Sequence, residues 1–235
     1  MIFRQLIEPE SSTYTYLVAC EETREAALID PVLQTLDRDL ALLEKLGLAL
    51  KYTIETHIHA DHVTAADRLR DATGSNAAVP EKSGARNADI AIREGEPIFV
   101  GKLRLEPLYV PGHTDDHHAY LLRSSDGARV FTGDALMIDG CGRTDFQNGD
   151  AATLYRSVHE KLFTLPDETL VYPGHDYQLR FVSSIGQEKA RNPRLGGGKT
   201  LQEFVEIMNN LNLPRPKKMD VAVPANRSCG EMHSA

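Results

Sequence analysis

Apolar and polar positions alternate over residues 14–19, and a compact apolar run at 26–29 ends at Asp30-Pro31. Both read as strands, because successive side chains of a strand face opposite ways. Between 33 and 46 the period changes: Leu36, Leu40, Leu43 and Leu46 recur at helical spacing until Gly47 ends the run. Residues 50–55 read as a buried strand, and 63–72 as a helix stopped by Gly74. The stretches 97–100 and 103–110 flank Gly101 as a hairpin, with further strands at 119–123 and 129–132. Helical spacing returns at 151–163, 182–191 and 201–211, with a strand at 169–172 between the first two. Two groups of strands with helices before, between and after them predict an α/β fold, an αββα sandwich. Pro214, Pro216 and Pro224 oppose a long helix, so the chain from about 214 is expected to be an extended tail.

Composition narrows this picture. A layered α/β unit commonly reaches about 250 residues, so the 235 residues are expected to form one domain, 1–235, with 41% hydrophobic residues to fill its core. No window is apolar enough to span a membrane, and MIFRQLIEPE lacks a basic stretch followed by an apolar run, so a soluble, unexported, cytoplasmic protein is expected. Three scattered cysteines, Cys20, Cys141 and Cys229, suggest neither a disulfide framework nor a thiolate zinc site. With a net charge of −8 and no basic run interleaved with aromatics, nucleic acid and anionic membranes are poor partners. A small anionic substrate stays open, because local arginines decide what enters a pocket.

The chemistry begins where the strand at 50–55 ends, in Thr56-His57-Ile58-His59-Ala60-Asp61-His62. Core packing does not explain so many polar side chains, each costing about 1–3 kcal/mol if buried unpaired. Metal or proton chemistry does. Three more candidates each follow an apolar run and a glycine: His113 in Pro111-Gly112-His113, Asp134 in Thr132-Gly133-Asp134, and His175 in Pro173-Gly174-His175. That placement is expected where strands stop and their loops face a common cleft.

His57, His59, Asp61, His62, His113, Asp134 and His175, in this order and spacing, resemble the metallo-β-lactamase superfamily. Arg143-Thr144-Asp145-Phe146-Gln147, Asn192-Pro193-Arg194, Asn209-Asn210-Leu211-Asn212-Leu213-Pro214 and Val223-Pro224-Ala225-Asn226 are similar to its persulfide dioxygenases, over nearly the whole chain. Asp115-Asp116 departs from that pattern. The resemblance implies the metallo-β-lactamase fold and one non-haem Fe(II) per chain, held by His57, His113 and Asp134, the two-histidine, one-carboxylate face that suits iron oxygenases. It implies that glutathione persulfide is oxidised with O2 and water to sulfite and glutathione. His59, Asp61, His62 and His175 would then orient the ligands and tune the metal. Arg143, Tyr177 and Asn226 would contact the tripeptide. The alternative activity is a glyoxalase II-like thioesterase using two metals. A homodimer is compatible with the sequence.

Overall fold

The protein, represented by a computed structural model, is described over residues 1–231. Among these residues twelve strands form two six-stranded sheets. The first contains β1 (Ile2–Glu8), β2 (Thr13–Ala19), β3 (Glu25–Ile29), β4 (Ala49–Ile54), β5 (Asn76–Pro80) and β6 (Ile90–Ile92), in that spatial order. The second contains β7 (Ile98–Val100), β8 (Leu103–Tyr109), β9 (His118–Ser124), β10 (Gly127–Gly133), β11 (Leu170–Pro173) and β12 (Ser183–Ser184), also in chain order across the sheet.

The sheets pack face to face. Tyr14, Tyr16, Ile29 and Ile54 from the first meet Tyr120, Leu122, Phe131 and Tyr172 from the second in one buried cluster. Alternate residues point away from this layer and are covered by helices, which is why β2 is buried along its whole length. Leu17, Ala19 and Leu28 pack against Leu43 of α1 (Leu36–Leu46) and Leu69 of α2 (Ala66–Thr73). Leu121, Val130 and Val171 pack against Leu154 of α3 (Ala151–Ser157), Ile185 of α4 (Ile185–Arg191) and Phe204 of α5 (Leu201–Asn209). This is the expected αββα sandwich, and each fully buried large apolar side chain contributes about 1.5–3 kcal/mol.

The differences from the sequence reading have local causes. β1, β5 and β6 lack clear alternation because they are short or lie toward an edge, and pairing defines them. The helix expected over 151–163 changes after Ser157 into a π turn, Val158–Leu162. The largest correction concerns the tail. Residues 219–226 are not extended but form α6 (Met219–Asn226), with Pro224 inside it. Pro224 lacks the N–H that would bond the preceding turn, yet Ala222 N donates to Lys218 O at 2.7 Å and Arg227 N to Val223 O at 3.1 Å. A two-turn helix survives one missing bond because Ala222 and Ala225 are buried against Val63.

Candidate metal centre

The strand ends assemble the site. β3 and β4 run parallel, as do β10 and β11, so the loops after β4, β10 and β11 emerge along one edge of the sandwich beside the β8–β9 loop. These loops are fastened to one another. His118 N donates to Thr56 O at 2.8 Å, Ile58 N to Asp116 Oδ2 at 3.0 Å, and Gln147 Nε2 to Ile58 O at 2.6 Å. Asp116, a departure from the resembling pattern, therefore holds the backbone of the histidine loop.

His57, His113 and Asp134 each bring one ligand atom into a group whose members lie within 4.8 Å of one another. The neighbours decide which nitrogen is free. His113 Nδ1 donates to Arg143 O at 2.6 Å, which leaves Nε2 as the acceptor, 3.6 Å from Asp134 Oδ2. Thr56 Oγ1 donates to Asp30 Oδ2 at 2.9 Å and so accepts from His57 Nδ1 at 2.9 Å, freeing His57 Nε2 in the same way. Burial, reinforced by the nearby imidazoles of His59, His117 and His113, pushes the His57 pKa well below its usual value. Burial works against ionised Asp134, but His175, by charge and hydrogen bond, and His113 bring its pKa down to about 2. Two imidazoles whose Nδ1 atoms are already engaged, beside an ionised carboxylate, are a fitting donor set for a divalent transition metal.

Glycine permits this convergence. A β-carbon on Gly142 would lie 2.6 Å from His113 Nδ1 and 2.8 Å from Asp134 O. At Gly133, in a left-handed conformation with φ +49°, it would lie 2.7 Å from His117 Nε2 and 2.8 Å from Thr56 Oγ1.

The other four candidates are arranged differently. His175 bridges two carboxylates, with Nδ1 at 2.7 Å from Asp134 Oδ1 and Nε2 at 3.0 Å from Asp61 Oδ2. His62 Nδ1 lies 2.9 Å from the same Asp61 oxygen. His59 Nε2 is 3.1 Å from Asp30 Oδ1 and 3.6 Å from Glu55 Oε2. His59, Asp61 and His62 also form a compact group able to hold an ion.

A cavity of about 690 Å³ opens onto His57, His113, Asp134, Asp61 and His175. Arg143 and Tyr177 line it, whereas Asn226 does not. The Arg143 guanidinium is engaged by Asp145 through two bonds of 2.6 and 2.7 Å and donates to Pro214 O at 2.6 Å, so it also fastens the tail. Tyr177 is 74% exposed, its ring stacked on His175 at 6.0 Å. Asn226 is buried behind the histidine loop: its amide donates to His59 O and His62 O, both at 2.9 Å, and accepts from Thr64 N at 2.9 Å. That saturates the side chain and makes it a brace for the loop. The cavity wall also carries Arg180, Arg194, Arg215, Lys217 and Lys218 beside Glu10, Asp139 and Asp176; Arg180 pairs with the two aspartates, Lys218 with Glu10 and Arg215 with Asp220.

Sequence reasoning passed over His117, Thr56 and Asp30. His117 Nε2 accepts from Asp134 N at 3.0 Å, and its ring stacks on His57 at 4.8 Å. Asp30, at the end of an apolar strand like the other site residues, was the most accessible of these signals.

Residues 9–175 match the metallo-beta-lactamase superfamily. Persulfide dioxygenase ETHE1, mitochondrial, of Mus musculus is 50% identical over 231 residues, which span 98% of this chain and 89% of the relative. The crystal structure of ETHE1 from Myxococcus xanthus superposes with a TM-score of 0.94 at 56% identity, covering 98% of this chain and 100% of that one. The chain belongs to the persulfide dioxygenases of the metallo-beta-lactamase superfamily. It is an enzyme of that family, with the superfamily's fold and a histidine and carboxylate cluster able to bind metal. A hydroxyacylglutathione hydrolase of Polaromonas sp. is more distant, at 38% identity over 195 residues, 80% of this chain and 70% of the relative.

Proposed function

We propose that this chain oxidises glutathione persulfide with O2 and water, giving sulfite and glutathione, at one ferrous ion held by His57, His113 and Asp134. The observation that carries this reading is the contrast in donor availability. His57 and His113 have their Nδ1 atoms engaged and their Nε2 atoms free, while Asp61, His62 and His175 are hydrogen-bonded to one another. Bound iron would relay electrons from the persulfide sulfur to O2 by changing oxidation state, which d¹⁰ zinc cannot.

The chain's own residues act around that chemistry. His175 keeps Asp134 ionised and aimed, and Thr56 with Asp30 fixes the His57 tautomer. Those cations of the wall that lack an acidic partner attract an anionic persulfide and its carboxylates. Arg194 and Lys217 have no carboxylate within ion-pair distance among the described residues and suit this task, whereas Arg143 reaches the wall already paired with Asp145. Tyr177 offers an exposed ring at the mouth, and Asn226 influences substrate through the loop it braces. The reaction balances as RSSH + O2 + H2O giving RSH + SO3²⁻ + 2 H⁺, and the open cavity lets water carry both protons away.

The test is metal content of anaerobically purified protein, together with sulfite formed per O2 consumed on adding glutathione persulfide. One iron per chain and one sulfite per O2 are expected. Two tightly bound zinc ions and thioester hydrolysis independent of O2 would overturn the proposal in favour of a glyoxalase II-like enzyme.

A further inference from the structure

A two-metal centre would need Asp61, His62 and His175 to converge on a second ion, yet their ligand atoms surround a hydroxyl. Thr13 Oγ1 lies 3.3 Å from Asp61 Oδ2, 3.3 Å from His62 Nδ1 and 3.0 Å from His175 Nε2. We propose that the Thr13 hydroxyl stands in the place of a second metal ion and so limits this centre to one ion per chain. The inference rests on the one-ion reading above and names the residue responsible for it.

The hydroxyl meets the valences an ion would otherwise satisfy. Ser11 gives its one proton to Glu8, so Thr13 donates to Ser11 Oγ at 2.7 Å and turns its lone pairs toward the N–H groups of His62 and His175. Asp61 Oδ2 is 2.9 Å from His62 Nδ1 and 3.0 Å from His175 Nε2, the spacing of hydrogen bonds between the side chains themselves. Zinc instead requires oxygen and nitrogen donors at about 2.0–2.2 Å from one point, whereas these donors stand 3.0–3.3 Å from the Thr13 hydroxyl they share. His62 also presents Nδ1 to this cluster, while its Nε2 is buried with no hydrogen-bond partner among the described residues.

Thr13 has little freedom to withdraw. It is fully buried at the start of β2, forms an isolated bridge with His175, and is followed by Tyr14, whose N donates to Gly174 O at 2.8 Å. Its hydroxyl is backed by Ser11 Oγ at 2.7 Å, and Ser11 in turn donates to Glu8 Oε2 at 2.5 Å. The turn between β1 and β2, distant in sequence from every histidine, thus places one oxygen atom inside the second donor set.

The experiment is an anaerobic Zn²⁺ titration of the whole apo chain, with ions per chain counted by native mass spectrometry and folding followed by circular dichroism. Wild type is expected to saturate at one ion. Thr13→Ala, which empties the position, should reach two, and so should Thr13→Cys, a near-isosteric change that substitutes a zinc ligand and serves if the alanine variant folds poorly. Thr13→Ser, which keeps the hydroxyl, should stay at one. A count of one in both the alanine and cysteine variants, or of two in the serine variant, would overturn the role of Thr13 while leaving the one-ion reading intact. Two ions in wild type would overturn that reading, and the inference with it.

Discussion

The two halves of the polar cluster use the same side-chain types toward opposite ends. In the set formed by His57, His113 and Asp134, a hydroxyl and a backbone carbonyl engage the Nδ1 atoms of the histidines and His175 engages one oxygen of Asp134, which leaves the two Nε2 atoms and the other carboxylate oxygen free. In the set formed by Asp61, His62 and His175, Asp61 Oδ2, His62 Nδ1 and His175 Nε2 face one another and Thr13, and His175 spends its other nitrogen on Asp134. Metal-binding capacity therefore depends less on which residues are present than on which of their atoms the surroundings have already occupied.

The sharpest way to break this comparison is to delete one member of the first set. His113→Ala should abolish tight metal binding and O2 consumption in a folded protein, as checked by anaerobic metal analysis and circular dichroism. Iron occupancy like that of wild type would remove His113 from the ligand set. Gly142→Ala tests the convergence itself, because its β-carbon would press on His113 and on the Asp134 backbone. A loss of about 1–3 kcal/mol in stability is expected from such overpacking, read as a lower melting temperature together with weaker metal binding. An unaltered melting curve would mean that the loop gives way freely.

The second set should respond more mildly. Asp61→Ala should lower metal affinity or activity by about 10–100-fold, the usual scale for a group that orients ligands, and saturating iron should restore one ion per chain. Failure to recover any bound ion would place Asp61 among the direct ligands. The smallest effect is expected at the cavity rim, where Lys217→Ala should raise KM about two- to fivefold, as for an exposed ion pair of about 0.5–1 kcal/mol, with metal content and kcat unchanged. An unchanged KM would remove Lys217 from substrate capture.

Much of this was legible in the linear chain. The change from alternating to helical period located most strands and helices, and apolar runs ending in glycine placed His113, Asp134 and His175 at strand ends. The tail departs from its local pattern because Pro224 removes one donor, which predicts an extended chain, whereas burial of Ala222 and Ala225 sustains a short helix around it. The sequence does not show that Asn226 braces the histidine loop, because its position relative to that loop depends on how α6 docks.

The sequence alone determined the αββα layering, the identity of the candidate ligands and the family, because periodicity and residue type are written along the chain. Tertiary structure decided which ligand atoms stay free, since that depends on contacts between residues far apart in sequence. Arg143 O sets the tautomer of His113, Asp30 acting through Thr56 sets that of His57, and Thr13 reaches into the cluster from the opening hairpin. No local pattern records these pairings. They arise when the two sheets close on each other and bring their loop ends within hydrogen-bonding distance.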